Sequence, residues 1–119
     1  MLNNYEVEVM PSADNDMQLI YEYIANELES VDSADNTIDA IQNTIISLTK
    51  VPKRGMIYPN EPWKSKELRM IFANNYTIFY YVFDKDLIVK VIKVAYSGMD
   101  FDEILKKLDW WIEVTKTNY

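Results

Sequence analysis

Half of the chain's twelve cations, Lys50, Lys53, Arg54, Lys64, Lys66 and Arg69, fall within twenty residues and are opposed there only by Glu61 and Glu67. Such a cluster is either a patch that faces a target or the solvent edge of a long loop, since runs of charge are commonly just solvated. Two acid pairs, Asp84 with Asp86 and Asp100 with Asp102, have a spacing at which carboxylates can share a metal ion. Each pair sits where acids are at home for local reasons, the first at a hairpin tip and the second at a helix start. The chain has neither His nor Cys. That removes the usual zinc ligands, thiolate catalysis, disulfides and the most common acid–base side chain at once. No metal and no cofactor is expected. Tyr76, Tyr80, Tyr81 and Tyr96 have rings that could stack on bases, although aromatic residues in strands more often serve core and cross-strand packing.

These groups belong to a chain of 119 residues, 49% hydrophobic and 26% charged, with no Pro/Gly/Ser-rich linker. That is the size and composition of one soluble domain able to bury a real core, here taken as residues 1–119. No basic-then-apolar leader opens the sequence, and its apolar runs fall short of the ~18 residues of a membrane span. The cytoplasm is the expected location, with no membrane partner. The net charge of −7 conceals an asymmetry: residues 1–49 hold ten acids and no Lys or Arg, whereas residues 50–119 hold nine acids and all twelve bases. The first half should repel nucleic acid, so any contact with phosphate must come from the second. Direct nucleic-acid binding by the chain alone is not expected.

The elements that would position these residues follow from hydrophobic period. Tyr5–Met10 alternates as a half-buried strand. Pro11-Ser12 breaks it, and Ser12 can cap a helix in which Ala13, Met17, Ile20, Ile24 and Leu28 form one stripe. Asp32 or Ser33 can cap a second helix with the stripe Ala34, Ile38, Ile41, Ile45 and Leu48, and so short a joint makes an antiparallel helical hairpin over 12–30 and 33–50. Regular structure lapses in the loop from Val51 to Ser65, which holds three of the four prolines. Residues 66–73, 76–83 and 87–96 then read as three strands of an antiparallel meander. Lys90 and Lys93, an odd number apart, would face opposite ways unless a bulge intervenes, so a bulge or an exposed end is expected there. Asp100, with Glu103 three residues on, opens a last helix. The order is β-α-α-β-β-β-α, an α+β fold.

Five local patterns come in sequence along this frame: Ala13–Ala25 (ADNDMQLIYEYIA); Ser47-Leu48 ending the second helix, with Pro52 and Gly55 after it; Leu68-Arg69; Asn75–Val82 (NYTIFYYV); and Val91–Asp100 (VIKVAYSGMD). In that order they resemble the landmarks of the RelE/ParE superfamily, the toxins of type II toxin–antitoxin systems and plasmid stabilisation proteins, over a core of about residues 5–105. The resemblance implies a bacterial growth inhibitor with a helical hairpin packed on a curved antiparallel sheet, encoded beside an antitoxin that wraps it. It also implies one of two targets, because RelE-like members cut messenger RNA on the ribosome and ParE-like members inhibit DNA gyrase.

Cleavage of RNA through its 2′-hydroxyl needs a proton acceptor, a proton donor and cations around the phosphate. Of the positions that carry these groups in RelE-like nucleases, Lys66 and Arg69 survive here, Thr77 occupies an arginine position, and Ala95, Tyr96 and Ser97 stand where terminal bases would be. A protein of net charge −7 is also poorly suited to a dense phosphate surface. The ParE-like branch is therefore favoured, with Lys53, Arg54, Lys64, Lys66 and Arg69 as target-facing candidates. A nuclease would have to use Lys66, Arg69 and Tyr96 in an unusual arrangement, and a member that has lost toxicity would survive as a binding partner. A helical extension over 100–116 completes the expectations. Its stripe is Ile104, Leu108, Trp111 and Ile112, and Trp110 follows Leu108 by two residues, so both tryptophans cannot share one face. Either one tryptophan is exposed and Leu108, Trp110, Trp111 and Ile112 anchor the antitoxin, or the tail folds back and buries both rings.

Overall fold

A computed structural model describes residues 4–108. Along it run β1 (Glu6–Val9), α1 (Pro11–Glu22), a π-helical turn (Tyr23–Glu27), α2 (Val31–Ser47), β2 (Met56–Ile57), β3 (Arg69–Ala73), β4 (Tyr76–Phe83), β5 (Ile88–Tyr96) and α3 (Phe101–Lys106). The five strands form one sheet in the order β1-β5-β4-β3-β2. The α+β fold, the helical hairpin and the β3-β4-β5 meander agree with the sequence. The sheet is not wholly antiparallel, however, since β1 pairs with β5 in parallel, Glu6 against Ile88 through Val9 against Val91. Alternation of side chains has the same period in both kinds of pairing, so it carries no information on strand direction. The Pro-rich loop also contains the short β2, which pairs antiparallel with Arg69 and Met70.

Side chains on the two faces of the sheet build two cores. On one face Ala13 and Met17 of α1, Ile41 and Ile45 of α2 and its C-cap Leu48 meet Ile78, Tyr80, Val89, Val91 and Val94. On the other, Tyr58, Trp63 and Leu68 from the loop and Leu105 from α3 cover Met70, Phe79, Tyr81, Ile92 and Ala95. Tyr80 and Tyr81 are buried on opposite faces, which favours packing over base stacking for both. The expected bulge is present: Phe79 pairs with Lys93 and Tyr80 with Val91, leaving Ile92 as the extra residue between Lys90 and Lys93.

Helix ends depart from the sequence reading in instructive ways. The N-cap of α1 is Met10, without a side-chain bond, and Pro11 occupies the first turn. Pro lacks the amide hydrogen that would be orphaned there and has its φ already fixed for a helix, so Ser12 lies inside the helix and not at its cap. For α2 the cap is Ser30, whose side chain accepts from the Ser33 N–H at 3.2 Å, in place of Asp32 or Ser33. Leu28 is 57% exposed although it continues the α1 stripe. Its N–H bonds to the Tyr23 carbonyl five residues back, and this wider turn rotates Leu28 out of phase with Met17 and Ile24. The third strand starts at Arg69 and not at Lys66, because residues 61–67 form turns and Glu67 is left-handed (φ 62°). Asp100 caps α3 as expected, accepting from the Glu103 N–H at 3.3 Å.

Candidate functional site

The cationic cluster does not stay together when the chain folds. Lys53, Arg54 and Arg69 gather around Gly55 at the end of the sheet where β4 and β3 carry Tyr80 and Arg69 as cross-strand partners. One nitrogen of the Arg69 guanidinium donates to the carbonyls of Gly55 (2.7 Å) and Lys53 (3.2 Å). Lys53 pairs with Asp84 at 2.6 Å, and Tyr5 donates to the same carboxylate at 2.7 Å. Those two donors hold the Asp84 carboxyl below the usual carboxylate range. Arg54 donates to the Ser47 hydroxyl, and the Gly55 N–H donates to the buried Tyr80 hydroxyl at 3.0 Å. Burial raises the Tyr80 phenol, against the Gly55 bond and the Arg69 and Arg54 charges that lower it. Lys64 and Lys66 lie elsewhere, in the turns around Trp63.

Tyr96 is at the far end of the sheet from Arg69. It pairs with Tyr76, four residues along β4 from Tyr80, which is about 13 Å at the rise of a strand. Lys66, Arg69 and Tyr96 are therefore not assembled into one site. Thr77 is fully buried and its hydroxyl shares a 2.8 Å hydrogen bond with Ser97. Among the acids, Asp102 accepts from Tyr58 and from Asn60 (3.0 Å), and these bonds lower its pKa. Tyr58 is pushed above the usual phenol range, mainly by burial and then by that carboxylate. Among the described residues no group of three or more acids converges as metal ligands would.

A groove of about 850 Å³ opens on the described surface at the Tyr96 end. One wall is helical, with Leu19, Tyr23 and Leu28 from α1 and the turn that follows it, and the other is made by Tyr76, Tyr96, Met99 and Ile104. Leu19, Tyr23, Leu28, Tyr96 and Met99 are each more than half exposed. Tyr76 and Tyr96 meet edge to face, with ring centres 6.0 Å apart. At the floor, Asp16 accepts from Lys93 (2.8 Å) and from the Val94 N–H (2.9 Å). Pairing of β1 with β5 stops at Val91, so Asp16 satisfies a strand donor beyond the end of β1. Burial raises the Asp16 carboxyl, and the bonds from Lys93 and Val94 oppose the rise. Leu19 and Tyr23 were not singled out by the main helical stripe. They sit four apart just off it, and that second apolar spacing is the signal in the sequence for an exposed apolar face. Asp16 and Lys93, 77 residues apart, leave no such signal.

Leu108 packs against the second core. Trp110, Trp111 and Ile112 lie outside the described residues. No helix among the described residues is long and apolar enough to cross a membrane.

The fold and the groove define a small α+β domain with a wide apolar face open to solvent. A family model described as the ParE toxin of type II toxin–antitoxin systems, parDE, matches residues 7–101, and the chain belongs to that family. Among solved structures it is similar to a chain of the RelBE2 toxin–antitoxin complex from Mycobacterium tuberculosis, at 16% identity with a TM-score of 0.60, covering 78% of this chain and 98% of that one. It is also similar to a chain of the chromosomal ParDE system of P. aeruginosa, at 16% identity and a TM-score of 0.63, covering 77% of this chain and 95% of that one. At that identity the likeness concerns the fold. No curated protein matches the sequence.

Proposed function

We propose that this chain is a toxin that arrests growth by binding a protein target, DNA gyrase, and that a cognate antitoxin neutralises it by occupying the apolar groove. The observation that carries the antitoxin site is the exposure of Leu19, Tyr23, Leu28, Tyr96 and Met99 along a single groove. Contiguous apolar surface rimmed by polar residues marks a place where another protein binds. Both structural neighbours come from toxin–antitoxin systems, which supports a partner of that kind. The helix α3 contributes Ile104 to the groove wall; Leu108, Trp110, Trp111 and Ile112 are further antitoxin-contact candidates on the strength of their sequence alone.

For the target, membership of the ParE family favours gyrase over the ribosome. The arrangement of side chains supports the same choice. Arg69 is committed to two backbone carbonyls, and Tyr96 belongs to the other end of the sheet. Neither is placed to share a phosphate with the other. Lys53, Arg54 and Arg69, with Lys64 and Lys66 nearby in sequence, are the candidate target-facing cations. Inducing the chain in cells should stop DNA synthesis before protein synthesis, and purified chain should inhibit supercoiling by gyrase. Primer extension on translated messages should show no new 5′ ends; cuts that vanish with Arg69→Ala would replace this reading with that of a messenger-RNA interferase.

A further inference from the structure

We infer that the groove selects its occupant by charge: the segment it takes is an amphipathic helix whose apolar stripe is flanked by Lys or Arg. This rests on the reading that the groove is the antitoxin's seat, and adds the chemistry by which one antitoxin is chosen over others.

The state of the sheet edge argues for a helix. The groove, of about 850 Å³, has room for roughly two turns of a helix ~10 Å across, and a strand has no free edge to join at Val94. Addition of a strand to β5 is disfavoured, because Asp16 already occupies the Val94 N–H beyond the end of β1. An arriving strand would have to displace a half-buried carboxylate that is also paired with Lys93. With that edge donor taken, side-chain docking on the apolar walls is favoured.

Charge decides between possible occupants. Every charged residue from 11 to 47, the whole of the helical wall, is an acid. Glu22, Glu27 and Asp32 are exposed beside the lining residues Tyr23, Leu28 and Ser33. On the opposite wall Asp100 and Glu103 flank Met99 and Ile104, and Lys106 is paired with Glu103 at 3.4 Å; Lys107 is the remaining cation there. Lys93 at the floor is neutralised by Asp16. A second copy of the chain, at −7, is repelled by such a rim. Residues 109–119 carry Asp109 and Glu113 against Lys116 and have the same sign as the rim. A cationic partner gains at Glu22, Glu27 and Asp32 along the helical wall, with a faster encounter as well as a tighter complex.

The test titrates the full chain with the purified antitoxin encoded beside it. Leu19→Asp should weaken binding strongly, because it puts a charge on the apolar wall. Paired reversal at Glu22→Lys and Glu27→Lys should weaken it about tenfold and flatten its dependence on salt. Asp86→Lys, on the hairpin away from the groove, should leave both unchanged, and circular dichroism of each variant checks the fold. If Leu19→Asp weakens binding but the paired reversal does not, the groove remains the antitoxin's seat and selection by charge is wrong. If Leu19→Asp has no effect on a folded chain, the seat itself is misplaced and the inference falls with it. A dimer in sedimentation equilibrium that Leu19→Asp dissociates, or tighter antitoxin binding on replacing Trp110 and Trp111 by Ala, would show the groove filled by a second copy or by the chain's own end. Either result overturns the proposal.

Discussion

Gly55 is required by its neighbours and not by its backbone angles. A Cβ there would lie 2.5 Å from the Tyr80 hydroxyl and 2.6 Å from the Met70 carbonyl oxygen, and the second of these is backbone that cannot swing aside. Gly55→Ala should cost about 2 kcal/mol in urea unfolding, the usual penalty for forcing atoms into a packed site. Removing the hydroxyl with Tyr80→Phe in the same chain should recover only part of the loss, since the Met70 clash persists. Asp84, on the same end of the sheet, ties the loop to β1 through Lys53 and Tyr5. Its folded-state pKa is lowered, so its contribution is present above the ordinary carboxylate pKa and lost as the pH falls through the folded value. Wild type should therefore exceed Asp84→Asn in stability at neutral pH, by less than about 1 kcal/mol for a half-exposed pair. The two should converge in thermal melts taken at acid pH.

At the scale of elements, the caps make a clean contrast between two serines. Ser30 caps α2, whereas Ser12 lies within the first turn of α1 behind Pro11. Ser30→Ala should cost ~1 kcal/mol, the typical loss of a side-chain cap, while Ser12→Ala should be close to neutral; equilibrium unfolding of the two variants in parallel measures the difference. The π turn after α1 has a consequence of another kind. A regular helix would carry Leu28 on the stripe of Ala13, Met17 and Ile24, but the wider turn brings it to the groove wall beside Tyr23. Local widening of this sort is common where a helix face is used for contact. The bulge at Ile92 acts likewise on β5, letting Lys90 meet Glu8 and the Phe83 ring while Lys93 reaches Asp16.

For the whole molecule, one sheet is shared by two cores, so neither layer is an independent unit. Ile41 of the hairpin and Leu105 of α3 are both fully buried, on opposite faces. Ile41→Ala and Leu105→Ala should each lower stability by ~2–5 kcal/mol and shift one common transition, with far-ultraviolet circular dichroism and β4 amide exchange reporting the same loss. Separate transitions for the two variants would show the α3 side to be a detachable layer. The groove and the Arg69 cluster stand at opposite ends of the sheet, which keeps the proposed target-facing cations physically apart from the proposed antitoxin site.

Much of this architecture was legible in the sequence because it is set by local period. The hairpin stripes, the three meander strands, the bulge between Lys90 and Lys93 and the Asp100 cap all follow from residues within a few positions of one another. The family pattern was legible for the same reason, as a series of short motifs in order. What only the tertiary structure decided depends on contacts across long stretches of chain. The parallel partner of β1 is 82 residues away at Glu6 and Ile88, and alternation is blind to direction. The cations that seemed one cluster were divided because turns after Ile57 carry Lys64 and Lys66 around Trp63, while Arg69 returns to Gly55. The groove was hidden for a like reason: its walls come from α1, β5 and α3, and an apolar residue on a single element does not reveal whether the fold will cover it or leave it open to a partner.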